Sequence, residues 1–338
     1  MRILARHPTA MKLLEQVHQV CRTKHYSPRT EASYTRWIVR FLRFHHDATG
    51  AWTHPREMSA EHVESFLTHL AVGRHVAAST QNQALNALVF LFRDVLGVQI
   101  GEFDAVRAKR PIRLPTVLSQ DEVRRVLAAM EPGSMHALMA RLLYGSGLRL
   151  MECCTLRVMD ADLDRGQIVV RAGKGDKDPL TMLPVSLLDP VSIQIERVAR
   201  RHAIDVQKGR GWVQVPDSVE HKRPSAPTEL GWQFLLPSRR CVKDPDTGRW
   251  QRWYVHPSTL SRAVKQAAAD AGLKKRVTCH TFRHSFATHL LEAGSDIRTV
   301  QELIGHKDVQ TTMIYTHVMQ QPGVGARSPL DAERLAAG

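Results

Sequence analysis

The first side chain suited to chemistry is an arginine that follows a glycine-rich turn. The segment reads Tyr144-Gly145-Ser146-Gly147-Leu148-Arg149, at a predicted helix start. Glycine permits a tight turn, and a helix N-terminus directs backbone N–H groups towards an anion. The position therefore favours contact between Arg149 and a phosphate, although a Gly-x-Gly turn alone is usually only a turn.

A second set of polar side chains follows in residues 280–289. His280 and Arg283 are three residues apart and share one face of a predicted helix, whereas Phe282 and Phe286 lie on its apolar side. The polar face therefore offers an imidazole and a cation. Although this segment is rich in histidine, no carboxylate lies at helical spacing and Cys279 has no second thiolate nearby. We therefore expect no metal here.

The third segment combines a histidine with a tyrosine. The glycine in Leu303-Ile304-Gly305-His306 predicts a helix end that presents His306, and Tyr315 comes nine residues later. A tyrosine among apolar neighbours is usually a packed core residue. Tyr315 therefore becomes a candidate nucleophile only in combination with the other segments.

The composition predicts a two-domain protein with a polyanionic partner. The 338 residues hold 47 Lys and Arg against 33 Asp and Glu, a net charge of +14, which favours nucleic acid or an anionic membrane surface. The longest apolar run, residues 84–92, is too short for a membrane span, and the first thirty residues lack a signal-peptide pattern. The five cysteines are scattered and odd in number, so neither disulfides nor zinc is predicted. We expect a cytoplasmic protein.

The first part of the chain, residues 1–106, predicts a four-helix domain. Helical periodicity runs through Met11–Cys21, and Ser27 caps a helix that ends near His46. Ser59 and Ser79 are predicted to open two further helices.

A basic linker, residues 107–116, follows this domain. Hydrophobic periodicity stops there and two prolines appear. The cations are Arg107, Lys109, Arg110 and Arg113. The linker is either a solvated connector or a strap along a phosphate backbone, and its position between two basic domains favours the strap.

The second domain, residues 117–338, opens with a predicted capping box of Ser119 and Glu122. Gln167–Arg171 and Leu180–Pro184 read as the strands of a β-hairpin with Lys174 at its tip. Helices are predicted to resume at residue 258. The predicted fold class is thus mainly α with a small antiparallel β-sheet.

Together these segments are similar to the signature of the tyrosine recombinases, also called the phage integrase family. The matching residues, in chain order, are Arg149, Lys174, His280, Arg283, His306 and Tyr315. The resemblance implies a helical, SAM-like core-binding domain that binds DNA, and an α+β catalytic domain that needs no cofactor. Glu152, one helical turn from Arg149, is predicted to orient that arginine rather than to react.

The resemblance also implies a role for each matched residue. Preorganised cations stabilise the charge that develops on an attacked phosphate, a role that suits the two arginines and His306. Tyr315 would attack and form a 3′-phosphotyrosine, with His280 as the candidate base. Lys174, with Lys177 as its competitor, would protonate the leaving 5′ oxygen. Because the covalent intermediate keeps the bond energy, neither ATP nor metal is required.

An aromatic-rich segment, residues 201–256, narrows the resemblance to the integron integrases. Residues 26–31, 296–301 and 327–331 also resemble segments of integron integrases. It implies recombination of gene-cassette sites, one of them a folded single strand whose extrahelical bases are read by this insert. The candidate base contacts are Trp232, Pro245, Trp253 and Tyr254. Where relatives tend to carry two histidines, this chain has Trp253-Tyr254, which still permits stacking.

The family resemblance implies duplex and folded single-stranded DNA partners and a homotetramer on paired sites, with a monomer when free as an alternative. Two other functions share parts of the pattern. A type IB topoisomerase would have the same nucleophile and cations but no need for the insert. A silent DNA-binding regulator would keep the basic surface without needing all six site residues.

Overall fold

A computed structural model describes residues 8–98, 115–171, 178–245, 247–306 and 308–319. The chain forms two compact units, Met1–Ile112 and Arg113–Gly338. Several predicted features lie outside the described residues: the linker cations Arg107, Lys109, Arg110 and Arg113, the hairpin lysines Lys174 and Lys177, and residues 327–331.

The described part of the first unit is helical. Its helices are α1 (Pro8–Thr23), α2 (Pro28–Thr49), α3 (Ala60–Thr68) and α4 (Ala78–Val89). The last two continue into π-helical turns at His69–Gly73 and Phe90–Val95. The apolar faces of these helices meet in a core around Ile38, Phe41 and Phe66, which are almost fully buried. The four predicted helices are present in the described part of this unit.

Serine N-caps precede two of the four described helices of this unit. The Ser27 hydroxyl accepts the backbone N–H of Thr30 at 3.1 Å, with Pro28 in the first turn. Ser59 caps α3 as predicted. The predicted start of α4 at Ser79 is wrong, because the helix begins at Ala78 without a side-chain cap.

The described part of the second unit contains nine α-helices. They are α5 (Gln120–Ala128), α6 (Met135–Gly145), α7 (Leu150–Thr155), α8 (Val185–Gln207), α9 (Asp217–Lys222), α10 (Pro257–Asp270), α11 (Cys279–Glu292), α12 (Ile297–Leu303) and α13 (Val309–Met319). The predicted capping box of Ser119 and Glu122 opens α5. Helix α11 packs against α6, α10, α12 and α13, and its Phe282 is fully buried. The side chains of α11 are therefore held by neighbours on several sides.

Two small antiparallel sheets complete the described part of this unit. The first has the order β1 (Ala161–Asp162), β2 (Gln167–Val169) and β3 (Leu180–Met182). Ile168 lies opposite Thr181 in the β2–β3 pair, which confirms the predicted hairpin with shorter strands, whereas β1 was not predicted. The second sheet pairs β4 (Val242–Lys243) with β5 (Trp250–Gln251) inside the insert.

The turn between α6 and α7 depends on Gly147. Its φ is +65°, a left-handed conformation that disfavours a side chain. A Cβ at this position would lie closer than 3.0 Å to the ring of Phe286 on α11. The glycine therefore permits both the turn and the close approach of α11.

Gly147→Ala should destabilise the second unit by about 2–4 kcal/mol, because it adds left-handed strain to overpacking against Phe286. The matched control is Gly133→Ala, since Gly133 has a φ of +69° with nothing within 4 Å of its added Cβ. The control should lose only the strain, about 1–2 kcal/mol. Urea unfolding of both variants measures the difference, and equal losses would contradict the role of the Phe286 contact.

Candidate active site

A cleft of about 470 Å³ in the second unit brings together five of the six predicted catalytic residues. Its lining residues are Pro115, Arg149, His280, Arg283, His284, His306, Thr311, Ile314 and Tyr315. The sixth predicted residue, Lys174, lies outside the described residues. Helices α7, α11 and α13 and the turn after α12 supply the described groups.

Arg283 is the buried cation of the cleft, with 5% of its surface exposed. Its guanidinium donates to the carbonyl of Gly147 at 2.5 Å and to the carbonyl of Ile304. Burial, assisted by the positive charge of Arg149, lowers the pKa of Arg283 to about 10. The group therefore remains charged at neutral pH and is held in place by backbone acceptors from two turns.

Arg149 presents a more exposed guanidinium at the N-terminus of α7, and its side chain is 43% exposed. It donates to Glu152 Oε1 at 2.5 Å and to the carbonyl of Gly305 at 2.9 Å. The other oxygen of Glu152 accepts the backbone N–H of Arg149 at 2.7 Å and lies 3.6 Å from Nη1 of Arg283. The prediction that Glu152 orients Arg149 is consistent with these contacts, which reach both arginines.

His306 occupies the turn between α12 and α13. Its Nδ1 lies 3.0 Å from the hydroxyl of Thr312, and its backbone carbonyl accepts the side-chain amide of Gln301 at 3.0 Å. Burial, followed by the charges of Arg283 and Arg149, lowers the pKa of His306 to about 4. The imidazole is therefore neutral at pH 7 and can serve as a hydrogen-bond donor without adding charge.

Tyr315 lies with its phenol inside the cleft and is only 2% exposed. Its ring belongs to the apolar cluster that contains Phe286 and Ile304. Burial raises the pKa of Tyr315, although Arg283 and Arg149 act in the opposite direction. The phenol is therefore protonated at neutral pH in the absence of DNA.

The hydrogen-bond partner of this phenol is His284, a residue of the histidine-rich segment 280–289 that was not among the predicted site residues. His284 Nδ1 lies 3.0 Å from the Tyr315 hydroxyl. His280, the base predicted from sequence, lines the same cleft and is exposed. The two histidines are four residues apart and thus share a helix face. This spacing was the available signal for His284.

Trp232, a predicted base contact, lies in the interior of the insert. It is 6% exposed and packs with Val213 and Phe234, and the guanidinium of Arg171 lies 4.9 Å from its ring centre. Stacking on a base would require this ring to leave its cluster.

The remaining insert candidates are accessible to different degrees. Trp253 and Tyr254 are half-buried, with ring centres 5.1 Å apart, and both also contact Phe234. Pro245 is exposed in the turn between β4 and β5. Trp250 was not among the predicted base contacts. It is 42% exposed, and the guanidinium carbon of Arg210 lies 5.1 Å from its ring centre.

The described residues contain no group of three or more His, Cys, Asp or Glu side chains placed to hold a metal ion. None of the described helices combines the length and apolar character of a membrane span.

Two fixed guanidinium groups and a tyrosine lie in one cleft. Such a site is typical of a protein whose tyrosine attacks a phosphodiester. Comparison with known proteins identifies the family. Residues 116–321 match the phage integrase family, and residues 13–102 match the N-terminal SAM-like domain of phage integrases. The chain belongs to the phage integrase family and is a site-specific tyrosine recombinase, an enzyme that cleaves and rejoins DNA.

Curated relatives extend over nearly the whole chain. An integrase/recombinase from Escherichia coli is 44% identical over 324 residues, which cover 96% of this chain and 94% of the relative. The tyrosine recombinase XerA of Thermococcus kodakarensis is 34% identical over 296 residues, 86% of each chain.

Solved structures share the fold at lower identity. The XerH site-specific recombinase in a post-cleavage complex with its difH substrate has a TM-score of 0.61 at 20% identity, over 96% of this chain and 89% of that chain. A lambda integrase fragment bound to a core site has a TM-score of 0.60 at 16% identity, over 94% and 96%. The predicted fold class, mainly α with small antiparallel sheets, is confirmed.

Glu152→Gln should destabilise the second unit by about 1–3 kcal/mol, since it removes the carboxylate charge between two guanidinium groups. The control is Asp121→Asn, because Asp121 is 67% exposed and pairs only loosely with Arg124 and Arg125. The control should change stability by less than about 1 kcal/mol. Urea unfolding measures both, and a Glu152 variant as stable as the control would contradict this account.

Proposed function

We propose that Tyr315 attacks a DNA phosphate and forms a 3′-phosphotyrosine intermediate. The observation that carries this proposal is the presence of the phenol and both guanidinium groups in a single cleft of about 470 Å³. Arg149, Arg283 and His306 donate to the nonbridging oxygens and stabilise the charge that develops during attack. Backbone carbonyls hold the two arginines and the Thr312 hydroxyl contacts His306, which limits the rearrangement needed when DNA arrives.

Protonation of the leaving group completes the proposed step. A 5′ alkoxide is a poor leaving group, and Lys174 on the β2–β3 hairpin is the proposed general acid. His280 exposes its ring to the same cleft and adds a donor to the phosphate site. Reversal of the step by the 5′ hydroxyl of a second DNA then exchanges strands without a cofactor.

The substrates are proposed to be integron gene-cassette sites, one of them a folded single strand. The aromatic insert between α8 and α10 supports this assignment, because bases outside a helix can stack on rings at its surface. Trp253 and Tyr254 are the favoured stacking rings since they are only half-buried, and Pro245 is exposed in the turn between β4 and β5. Trp232 supports these rings from the interior, through its shared cluster with Phe234.

Assembly on DNA is proposed to be tetrameric, with two protomers on each of two sites. The net charge of +14 favours wrapping around a polyanion. The linker cations at residues 107, 109, 110 and 113 are proposed to lie along a phosphate backbone, which fixes position without reading sequence.

Mixing the protein with a labelled bottom-strand cassette hairpin should give an SDS-resistant protein–DNA adduct. Tyr315→Phe should abolish it, because the variant lacks the nucleophilic oxygen. The matched control is Tyr144→Phe, since the hydroxyl of Tyr144 on α6 lies 2.9 Å from Nδ1 of His289 on α11, outside the cleft. Denaturing gels after equal reaction times measure the adduct.

The outcomes separate the proposal from its alternatives. An adduct that forms with wild type and Tyr144→Phe but not with Tyr315→Phe supports the nucleophile and the single-stranded substrate together. Relaxation of supercoiled DNA without exchange of strands would favour a topoisomerase. Absence of any adduct, with hairpin and duplex sites alike, would favour a DNA-binding regulator.

A further inference from the structure

The hydroxyl of Tyr315 has one hydrogen-bond partner among the described residues, the imidazole of His284. We propose that His284 accepts the proton of Tyr315 as the phenol attacks DNA and returns it when the strands rejoin. This inference rests on the proposed role of Tyr315 as nucleophile. It adds a catalytic residue to the five described groups that sequence predicts.

The geometry carries the assignment. His284 Nδ1 lies 3.0 Å from the phenol oxygen, within reach for direct proton transfer. Helix α11 fixes the ring next to Arg283, so that proton acceptor and phosphate-binding cation belong to adjacent residues. The ring centres of His284 and Tyr315 are 5.6 Å apart, which places the contact at the ring edges.

The other two histidines of the cleft are less well placed for this task. His306 uses Nδ1 to contact the Thr312 hydroxyl, and its ring lies nearly parallel to that of Tyr315 at 6.2 Å between centres. His280 lies on the exposed side of the cleft, with its ring centre 6.3 Å from that of His284. Both remain available to the phosphate.

The charges around His284 explain how DNA would activate it. His280 and Arg283 face it from α11, Arg149 and Glu152 lie on α7, and His306 follows α12. Burial, followed by His280 and Arg283, lowers the pKa of His284 to about 4. The ring is therefore neutral at pH 7 and has an acceptor nitrogen, but it is too weak a base to ionise the phenol by itself.

A phosphate bound among these cations would change that balance. Its negative charge opposes the effect of Arg283 on His284 and raises the proton affinity of the imidazole. The phenol therefore stays protonated until DNA fills the cleft. This arrangement ties formation of the nucleophile to the presence of the substrate.

The proposed step balances in protons and bonds. The O–H bond of Tyr315 breaks and an N–H bond forms at His284, while the phenol oxygen bonds to phosphorus and the bond to the 5′ oxygen breaks. Lys174 supplies the proton of the new 5′ hydroxyl. Rejoining reverses every transfer and leaves both side chains as they began.

The decisive experiment measures the rate of adduct formation against pH with the bottom-strand cassette hairpin. His284→Ala and His284→Asn should both react about 100-fold more slowly at pH 7, the lower end of the usual contribution of a general base. In these variants only phenolate attacks, so their rates should rise about tenfold per pH unit below the phenol pKa. The wild-type rate should depend much less on pH.

The matched control is His289→Asn. His289 Nδ1 lies 2.9 Å from the Tyr144 hydroxyl, an equivalent contact on the same helix outside the cleft. This variant should keep the wild-type rate and pH profile. Recovery of the wild-type rate by His284→Asn would overturn the base assignment, because asparagine can hold a hydroxyl but cannot take its proton.

A DNA hairpin with sulfur in place of the 5′ bridging oxygen separates the two proton transfers. The sulfur leaves without protonation, so Lys174→Ala should recover on this substrate whereas His284→Ala should not. Recovery of His284→Ala would show that the residue serves the leaving group and would overturn the proposal.

The same experiments distinguish failure of the proposed function from failure of the base assignment alone. No adduct with wild-type protein would overturn the nucleophile role of Tyr315 and the base assignment with it. A normal wild-type adduct together with an unimpaired His284→Ala variant would overturn only the base assignment. A nitrogen NMR spectrum of the free protein tests the contact itself, since Tyr315→Phe should shift the His284 Nδ1 resonance, and an unchanged resonance would contradict the contact.

Discussion

The cleft depends on the hydrogen bonds that hold the buried guanidinium group of Arg283. A charge removed from water is tolerated only where hydrogen-bond partners replace the lost solvation. Here the partners are the carbonyls of Gly147 and Ile304, with the carboxylate of Glu152 at 3.6 Å. The same bonds tie the turn before α7 and the end of α12 to helix α11. The elements that carry the site are thus joined by the cation that would bind substrate.

Positive side chains predominate among the described residues that line the cleft. Among the described residues, both guanidinium groups lie near the carboxylate of Glu152. Burial, together with neighbouring positive groups that include Arg283, lowers the pKa values of His284 and His306 to about 4 and keeps both rings neutral at pH 7. An anionic phosphate is complementary to such a site. Its arrival would satisfy the arginines and would make ionisation of the phenol easier, so substrate binding and nucleophile activation have one electrostatic cause.

The sequence predicted those parts of the molecule that depend on local signals. Caps at Ser27 and Ser119 and the β2–β3 hairpin were correctly located because short-range hydrogen bonds and β-branched runs define them. Periodicity alone does not show which distant segments come together. The prediction of a shared site came from a resemblance in order and spacing, and it concerned Arg149, His280, Arg283, His306 and Tyr315.

Features set by tertiary packing were not predictable in this way. Helix α4 starts at Ala78 without a capping side chain. The depth of Trp232 depends on the fold of the whole insert, and the pairing of His284 with Tyr315 depends on how α13 docks against α11. Each depends on contacts between segments far apart in sequence, which residue spacing within one helix does not encode.

Identification of the chemical link between protein and DNA tests the central claim most directly. After nuclease digestion of a purified adduct, mass spectrometry of its peptides identifies the modified residue and the end of the DNA that is attached. The account predicts a nucleotide joined through its 3′ phosphate to the oxygen of Tyr315. A nucleotide on another residue, or a link to the 5′ end of the DNA, would contradict it.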